Sequence, residues 1–173
     1  MSDLQEIVEP RAIDLEAFWI HAINAAKLNL SEGFNAQDDL TSLRPSSFAF
    51  GADRAQANRL CELVLRGEKR ATSSYLPSYR RAGVPVPTVG DLGILCDGDG
   101  VPRALLRTST VEITAFGDVD AHIAQAEGEG THEDWVREHR AFFEREISDL
   151  GGEFDEQGGV VTEFFEVLYS YVD

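Results

Sequence analysis

The chain is poor in cysteine, in positive charge and in long apolar runs, and each shortage closes off a class of protein. Two cysteines, Cys61 and Cys96, among 173 residues are too few for a disulfide framework. Neither belongs to a CxxC or Cys/His spacing of the kind that binds zinc. A reducing, cytoplasmic setting is therefore expected, with no metal and no other cofactor. No apolar stretch approaches the roughly 20 residues that a membrane-spanning helix requires. No basic segment precedes an apolar one at the N-terminus, so neither a membrane partner nor export is expected. Lys and Arg number 15 against 31 Asp and Glu, a formal charge of −16. That surplus repels a polyanion such as RNA unless basic residues gather on one face. What is present is 43% hydrophobic and 27% charged residues, enough apolar material for the core of one globular domain.

The charge is unevenly spread. Residues 1–46 carry 3 basic and 8 acidic side chains, residues 47–111 carry 9 and 6, and residues 112–173 carry 3 and 17, so the nets of −5, +3 and −14 sum to −16. Only the middle third supplies a basic face, through Arg66, Lys69, Arg70, Arg80, Arg81, Arg103 and Arg107. A cluster of that size is also ordinary on a solvated surface.

Apolar periodicity predicts a helix from about Ile13 to Leu28, with Leu15, Phe18, Trp19, Ala22, Ile23 and Ala26 on one stripe. The polar stretch from Ser31 to Ser47 reads as a linker, so residues 1–45 are taken as an N-terminal helix and linker and residues 46–173 as the main domain. A second helix is expected from Asp53 to Arg66, ended by Gly67, with Cys61 as a small core residue on its apolar stripe. A strand follows from Arg70 to Tyr75. Residues 76–91 contain Pro77, Gly83, Pro85, Pro87 and Gly90 and read as a long turn-rich loop. Strands are then expected over Leu92 to Cys96 and Pro102 to Phe116, joined by the turn Asp97-Gly98-Asp99-Gly100. This turn lacks the ligand spacing of a calcium loop. Helix is expected from Val119 to Ala126, and again after Thr131, an N-cap with Asp134 three residues on in an acidic variant of the capping box. A final strand runs from Val160 to Tyr171. Strands outnumber helices without regular βαβ alternation, which favours α+β with a small, mostly antiparallel sheet or barrel.

Two segments hold side chains suited to chemistry. Gly67-Glu68-Lys69-Arg70-Ala71-Thr72 is not a phosphate loop, because the helix precedes the glycine instead of following it. It does set a lysine and a threonine three residues apart at a helix-to-strand junction. An ammonium there can stabilise an oxyanion, and a hydroxyl can attack a carbonyl once a base takes its proton. A solvated lysine and a strand-favouring threonine are the plainer account. In Glu127-Gly128-Glu129-Gly130, the glycines allow two acids to approach a ligand closely; alternatively the acids decorate the start of the following helix. His132 and His139 stand two turns apart, a poor chelate, and no serine sits in a GxSxG elbow.

Taken in order, Phe48-Ala49-Phe50-Gly51, the run from Gly67 to Thr72, Pro87-Thr88-Val89-Gly90-Asp91, Phe116-Gly117-Asp118-Val119, and Glu127-Gly128-Glu129-Gly130 followed by Trp135 and His139 resemble the ASCH domain family over roughly residues 46 to 170. The resemblance implies a PUA-like β-barrel with flanking helices and a cleft with the GxKxxT element at its mouth. Some bacterial members are amidohydrolases that remove the acetyl group of N4-acetylcytidine; others are associated with RNA binding or ribonuclease activity. Carried onto this sequence, the amidohydrolase motif falls on Lys69, Thr72 and Glu127 as catalytic residues. Arg70, Tyr79, Arg80, Glu129 and Trp135 are then expected to bind a nucleoside-like substrate, with Tyr79 or Trp135 stacking on a base. In this scheme Thr72 attacks the acyl carbonyl, Glu127 handles its proton and Lys69 stabilises the oxyanion. An equally economical version makes Lys69 the base and Glu127 its orienting partner. The alternative is an RNA-binding or RNA-cleaving module using Arg66, Arg70, Arg80, Arg81 and Arg103, which the net charge disfavours.

Overall fold

The computed structural model describes residues 5–26 and 43–171. In chain order the elements are α1 (Ala12–Ala26), β1 (Ser47–Phe48), α2 (Arg54–Leu65), β2 (Ala71–Tyr75), α3 (Leu76–Ala82), β3 (Leu92–Cys96), β4 (Pro102–Ala115), α4 (Ala121–Glu127), α5 (His132–Asp149) and β5 (Gly159–Ser170). No helix among the described residues is long and apolar enough to cross a membrane.

The chain forms two compact units that interleave along the sequence. One takes Met1–Leu65, Leu92–Arg107 and Val167–Asp173, the other Arg66–Asp91 and Thr108–Glu166. In the first, the expected stripe of α1 packs Leu15, Phe18, Trp19 and Ala22 with Ile94, Cys96 and Leu105. Strand β3 pairs parallel with β1 and antiparallel with β4. The Asp97–Gly100 turn closes that hairpin, with the Asp97 carboxylate accepting from the backbone N–H of Asp99 and Val101. Both cysteines are buried free thiols. Burial pushes Cys61 up to about 11 and Cys96 up to about 12, which keeps them protonated and unreactive at neutral pH.

The second unit is built on β2 paired antiparallel with β5. Its core joins Tyr75, Phe116, Val119, Ile123, Ala124, Trp135, Phe143, Ile147 and Val160. Large side chains buried this fully contribute about 1.5–3 kcal/mol each. The Tyr75 ring stacks on Phe143 at 5.3 Å, and its hydroxyl donates to the Asp155 carbonyl while accepting from the Asp155 N–H, both at 2.9 Å.

Three expectations need correction. The five strands run in the order β1-β3-β4-β5-β2 and the sheet is open, not a closed barrel. Its terminal strands have only two and five residues, too little for the staggered wrap that closure demands. Residues 76–91 are not all loop, because Leu76–Ala82 form α3. Pro77 sits in the first turn, where its missing N–H has no helical partner to lose, and Gly83 ends the helix at φ 68°. Strands do not outnumber helices: among the described residues there are five of each. Residues 31–42 of the expected linker lie outside the described residues, and its last residue, Ser47, opens β1.

Candidate active site

The site lies wholly within the second unit and is assembled by backbone first. Helix α4 starts at Asp120, whose carboxylate accepts from the His122 N–H, and stops at Gly128, which takes the left-handed conformation at φ 69°. The segment entering β2 lies directly against that stop: Arg70 N–H donates to the Ala126 carbonyl at 2.6 Å. A Cβ at Gly128 would run into the Glu68 carbonyl and stand 3.2 Å from Lys69 N. Glycine is needed here for both its φ and its bareness. The result brings Glu127 and Glu129 to either side of Lys69. Two residues later Thr131 closes a reciprocal capping box with Asp134, and the helix so started carries Trp135 and His139 to the same place. The box donors, joined by Arg137, hold the Asp134 carboxyl down at about 2.

Lys69 is 2% exposed. Its Nζ donates to Glu129 Oε2 at 2.9 Å and lies 3.7 Å from Glu127 Oε1. The two acids differ in access: the Glu127 side chain is 2% exposed and that of Glu129 17%. Glu127 is surrounded by donors. Ser73 Oγ donates to its Oε2 at 3.0 Å, the Trp135 indole N–H donates to the same oxygen, and His139 Nε2 lies 3.4 Å from Oε1. Burial alone drives this carboxyl upward, but His139, through hydrogen bond and charge, then Lys69 and Trp135, outweigh it and hold the group below its ordinary value. His139 Nδ1 faces the Trp135 carbonyl at 2.9 Å. A carbonyl only accepts, so Nδ1 carries its hydrogen, and Nε2 donates to Glu127 when it too is protonated. The Trp135 ring stacks on His139 at 4.1 Å and meets Phe116 at 5.7 Å.

A small concavity of about 10 Å³, room for one water molecule, is lined by Ala124, Glu129, Gly130, Thr131, Trp135, Glu138 and His139. Glu129 thus joins the buried ammonium to this concavity, whereas Glu127 is enclosed behind it. Among the described residues no group of three or more His, Cys, Asp and Glu side chains has the geometry to hold a metal ion.

Of the residues singled out in the sequence, Lys69, Glu127, Glu129 and Trp135 come together. Thr72 does not join them on that face. Strand β2 alternates, with Ala71, Ser73 and Tyr75 buried and Thr72 and Ser74 half-buried on the opposite side. Tyr79 shares the side of Thr72, near Ser74. Arg70 and Arg80 are exposed. Trp135 is only 3% exposed, with its ring faces given to His139 and Phe116. Sequence reasoning missed Ser73 as a partner of Glu127, with Thr162 behind it at 2.9 Å; the period-2 alternation through Tyr75 was the available signal.

The model of the ASCH domain family matches residues 46–169. The chain belongs to the ASCH domain family. Two solved structures agree with this membership. The crystal structure of an ASCH domain from Lactobacillus crispatus JV V101 is 30% identical with a TM-score of 0.76, covering 94% of this chain and 99% of that one. A crystal structure of a protein from Enterococcus faecalis V583 is 31% identical with a TM-score of 0.77, covering 91% of this chain and 89% of that one. No curated protein matches the chain. Within this ASCH domain, the GxKxxT lysine and the paired acids form one buried ion cluster, while the threonine of the same motif faces the other way.

Proposed function

We propose that this ASCH domain hydrolyses an amide bond in a small acylated nucleoside such as N4-acetylcytidine, with Lys69 and Glu129 as the reacting pair. The observation that carries this reading is a buried ammonium bonded at 2.9 Å to a carboxylate that alone of the two acids borders the concavity. In the proposed reaction a water molecule loses a proton to Glu129 and its oxygen bonds to the acyl carbon. Lys69 stabilises the oxyanion, which forms away from bulk water where such a charge counts most. Collapse breaks the carbon–nitrogen bond, and the proton on Glu129 passes to the departing amine, leaving a carboxylic acid and the free nucleoside. Glu127 acts through Lys69 as a positioning residue, since its oxygens already face Ser73, Trp135 and His139. Water serves as nucleophile in place of the Thr72 hydroxyl, because Thr72 lies on the opposite face of β2.

ASCH domains are in general RNA-related, so the competing reading is RNA binding through exposed Arg70 and Arg80. Two of the other arginines expected to serve it are engaged within their own units: Arg81 donates to the Leu150 and Gly151 carbonyls, and Arg103 pairs with Asp97 and Glu62. Incubating the protein with N4-acetylcytidine, and separately with labelled RNA at two salt concentrations, separates the readings. Release of cytidine and acetate that is lost in Lys69→Ala supports hydrolysis. Salt-sensitive RNA retention without turnover overturns it.

A further inference from the structure

The face of β2 turned away from Lys69 carries a second polar cluster. Thr72 is the cross-strand partner of Glu163 on β5, so their side chains stand side by side. Thr108 Oγ1, on a buried residue, reaches Glu163 Oε1 at 3.4 Å. One step along β2, on the same face, Ser74 lies near half-buried Tyr79. The charged groups that act on this spot are all negative: Asp91 on Glu163, and Glu163 and Glu146 on Tyr79. No lysine or arginine among the described residues pairs with Glu163.

A half-buried carboxylate without a counter-cation is an unusual thing to keep. Glu127, equally a carboxylate on this framework, has a lysine, an indole and a histidine turned toward it, whereas Glu163 has one long hydroxyl contact. Burial pushes the Glu163 carboxyl above its ordinary value, and nearby Asp91 adds to that. Both effects are relieved by a ligand that brings donors or positive charge. A carboxylate has two parallel oxygens and is matched best by two adjacent N–H groups in one plane, and the Tyr79 ring adds an aromatic surface of the kind planar ligands use.

We propose that Thr72, Ser74, Tyr79, Thr108 and Glu163 form a second binding site, distinct from the Lys69 cluster, for a planar group presenting two adjacent N–H donors, of the kind found on the edge of a guanine base and in a guanidinium. Glu163 accepts both donors, the surrounding hydroxyls take up the remaining polar atoms of the ligand, and Tyr79 lies beside its plane. This site stands independently of the hydrolytic reading, because it is read by equilibrium binding and not by turnover.

The test is calorimetric titration of the intact chain with guanosine, with 1-methylguanosine, in which one of the two donors is blocked, and with methylguanidinium. Binding of guanosine or methylguanidinium that falls at least about tenfold in Glu163→Gln supports the site; which of the two binds distinguishes base from guanidinium. For guanosine, 1-methylguanosine should bind at least about tenfold more weakly to the unmutated protein, a comparison that needs no variant to fold. Tyr79→Phe, one oxygen smaller, should weaken binding less than Glu163→Gln. The proposal is overturned if neither probe binds, if guanosine and 1-methylguanosine bind alike, or if well-folded Glu163→Gln binds as the unmutated protein does.

Discussion

Replacing Glu127 by glutamine tests the buried cluster with almost no change of shape. The carboxylate faces three donors, Ser73 Oγ at 3.0 Å, the Trp135 indole N–H and Lys69 Nζ at 3.7 Å, with His139 Nε2 at 3.4 Å beside them. A glutamine offers one oxygen and one N–H₂, so at least one of these donors then meets another donor. Lys69, 2% exposed, is left with Glu129 as its nearest counter-charge. Removing one member of a buried pair costs about 3–5 kcal/mol. Because Glu129 remains, the lower end applies, about 3 kcal/mol, a large part of the roughly 5–15 kcal/mol that holds a domain folded. Urea unfolding followed by far-UV circular dichroism should give a midpoint about 1–2 M lower with unchanged slope. A loss below about 1 kcal/mol in Glu127→Gln would refute the claim that this carboxylate anchors the cluster.

Three further outcomes follow from other parts of the second unit. Glu127 and Glu163 should pull stability in opposite directions with pH. The folded state holds the Glu127 carboxyl below the ordinary 4.5, so its stabilisation is complete above that pH and lost as pH falls through the folded value. Glu163 is held above 4.5, so it costs stability as pH rises past 4.5 and through its folded value, and Glu163→Gln should flatten that decline in a pH series of urea melts. Gly128→Ala places a methyl against the Glu68 carbonyl at a left-handed position; it should cost more than about 1 kcal/mol in the same melts and reduce turnover with Lys69 still present. Ser78 Oγ is buried without a hydrogen-bond partner, so Ser78→Ala should leave stability unchanged or raise it by about 1 kcal/mol, seen as a higher Tm.

Much of this arrangement is legible in the sequence because it is fixed locally. Thr131 with Asp134 announces the start of α5, and Gly128 between two acids announces a tight turn that presents both. The apolar stripe of α1 and the Asp97–Gly100 turn are equally local signals. That the sheet stays open was not legible, since closure depends on how far two short edge strands extend, and nothing in Ser47-Phe48 alone marks it as a strand. Pro77 misleads because the same residue that breaks a helix interior is welcome in a first turn. At the site, motif spacing brought Lys69 and Thr72 into one thought, whereas the period of two in β2 separates Thr72 from Ser73 and gives Glu127 its hydroxyl partner. The difference in access between Glu127 and Glu129 depends on where Trp135 and His139 arrive from α5, a contact of tertiary origin.

The most direct measurement is kcat/KM for N4-acetylcytidine in the unmutated protein and in Glu129→Gln, with circular dichroism to establish that both are folded. Glu129 has few partners and its side chain is 17% exposed, so the substitution should leave the fold intact while lowering the rate by about 10²–10⁴-fold. Cytidine release at the same rate from both proteins, or no release from the unmutated protein, would contradict the assignment of Lys69 and Glu129 as the reacting pair.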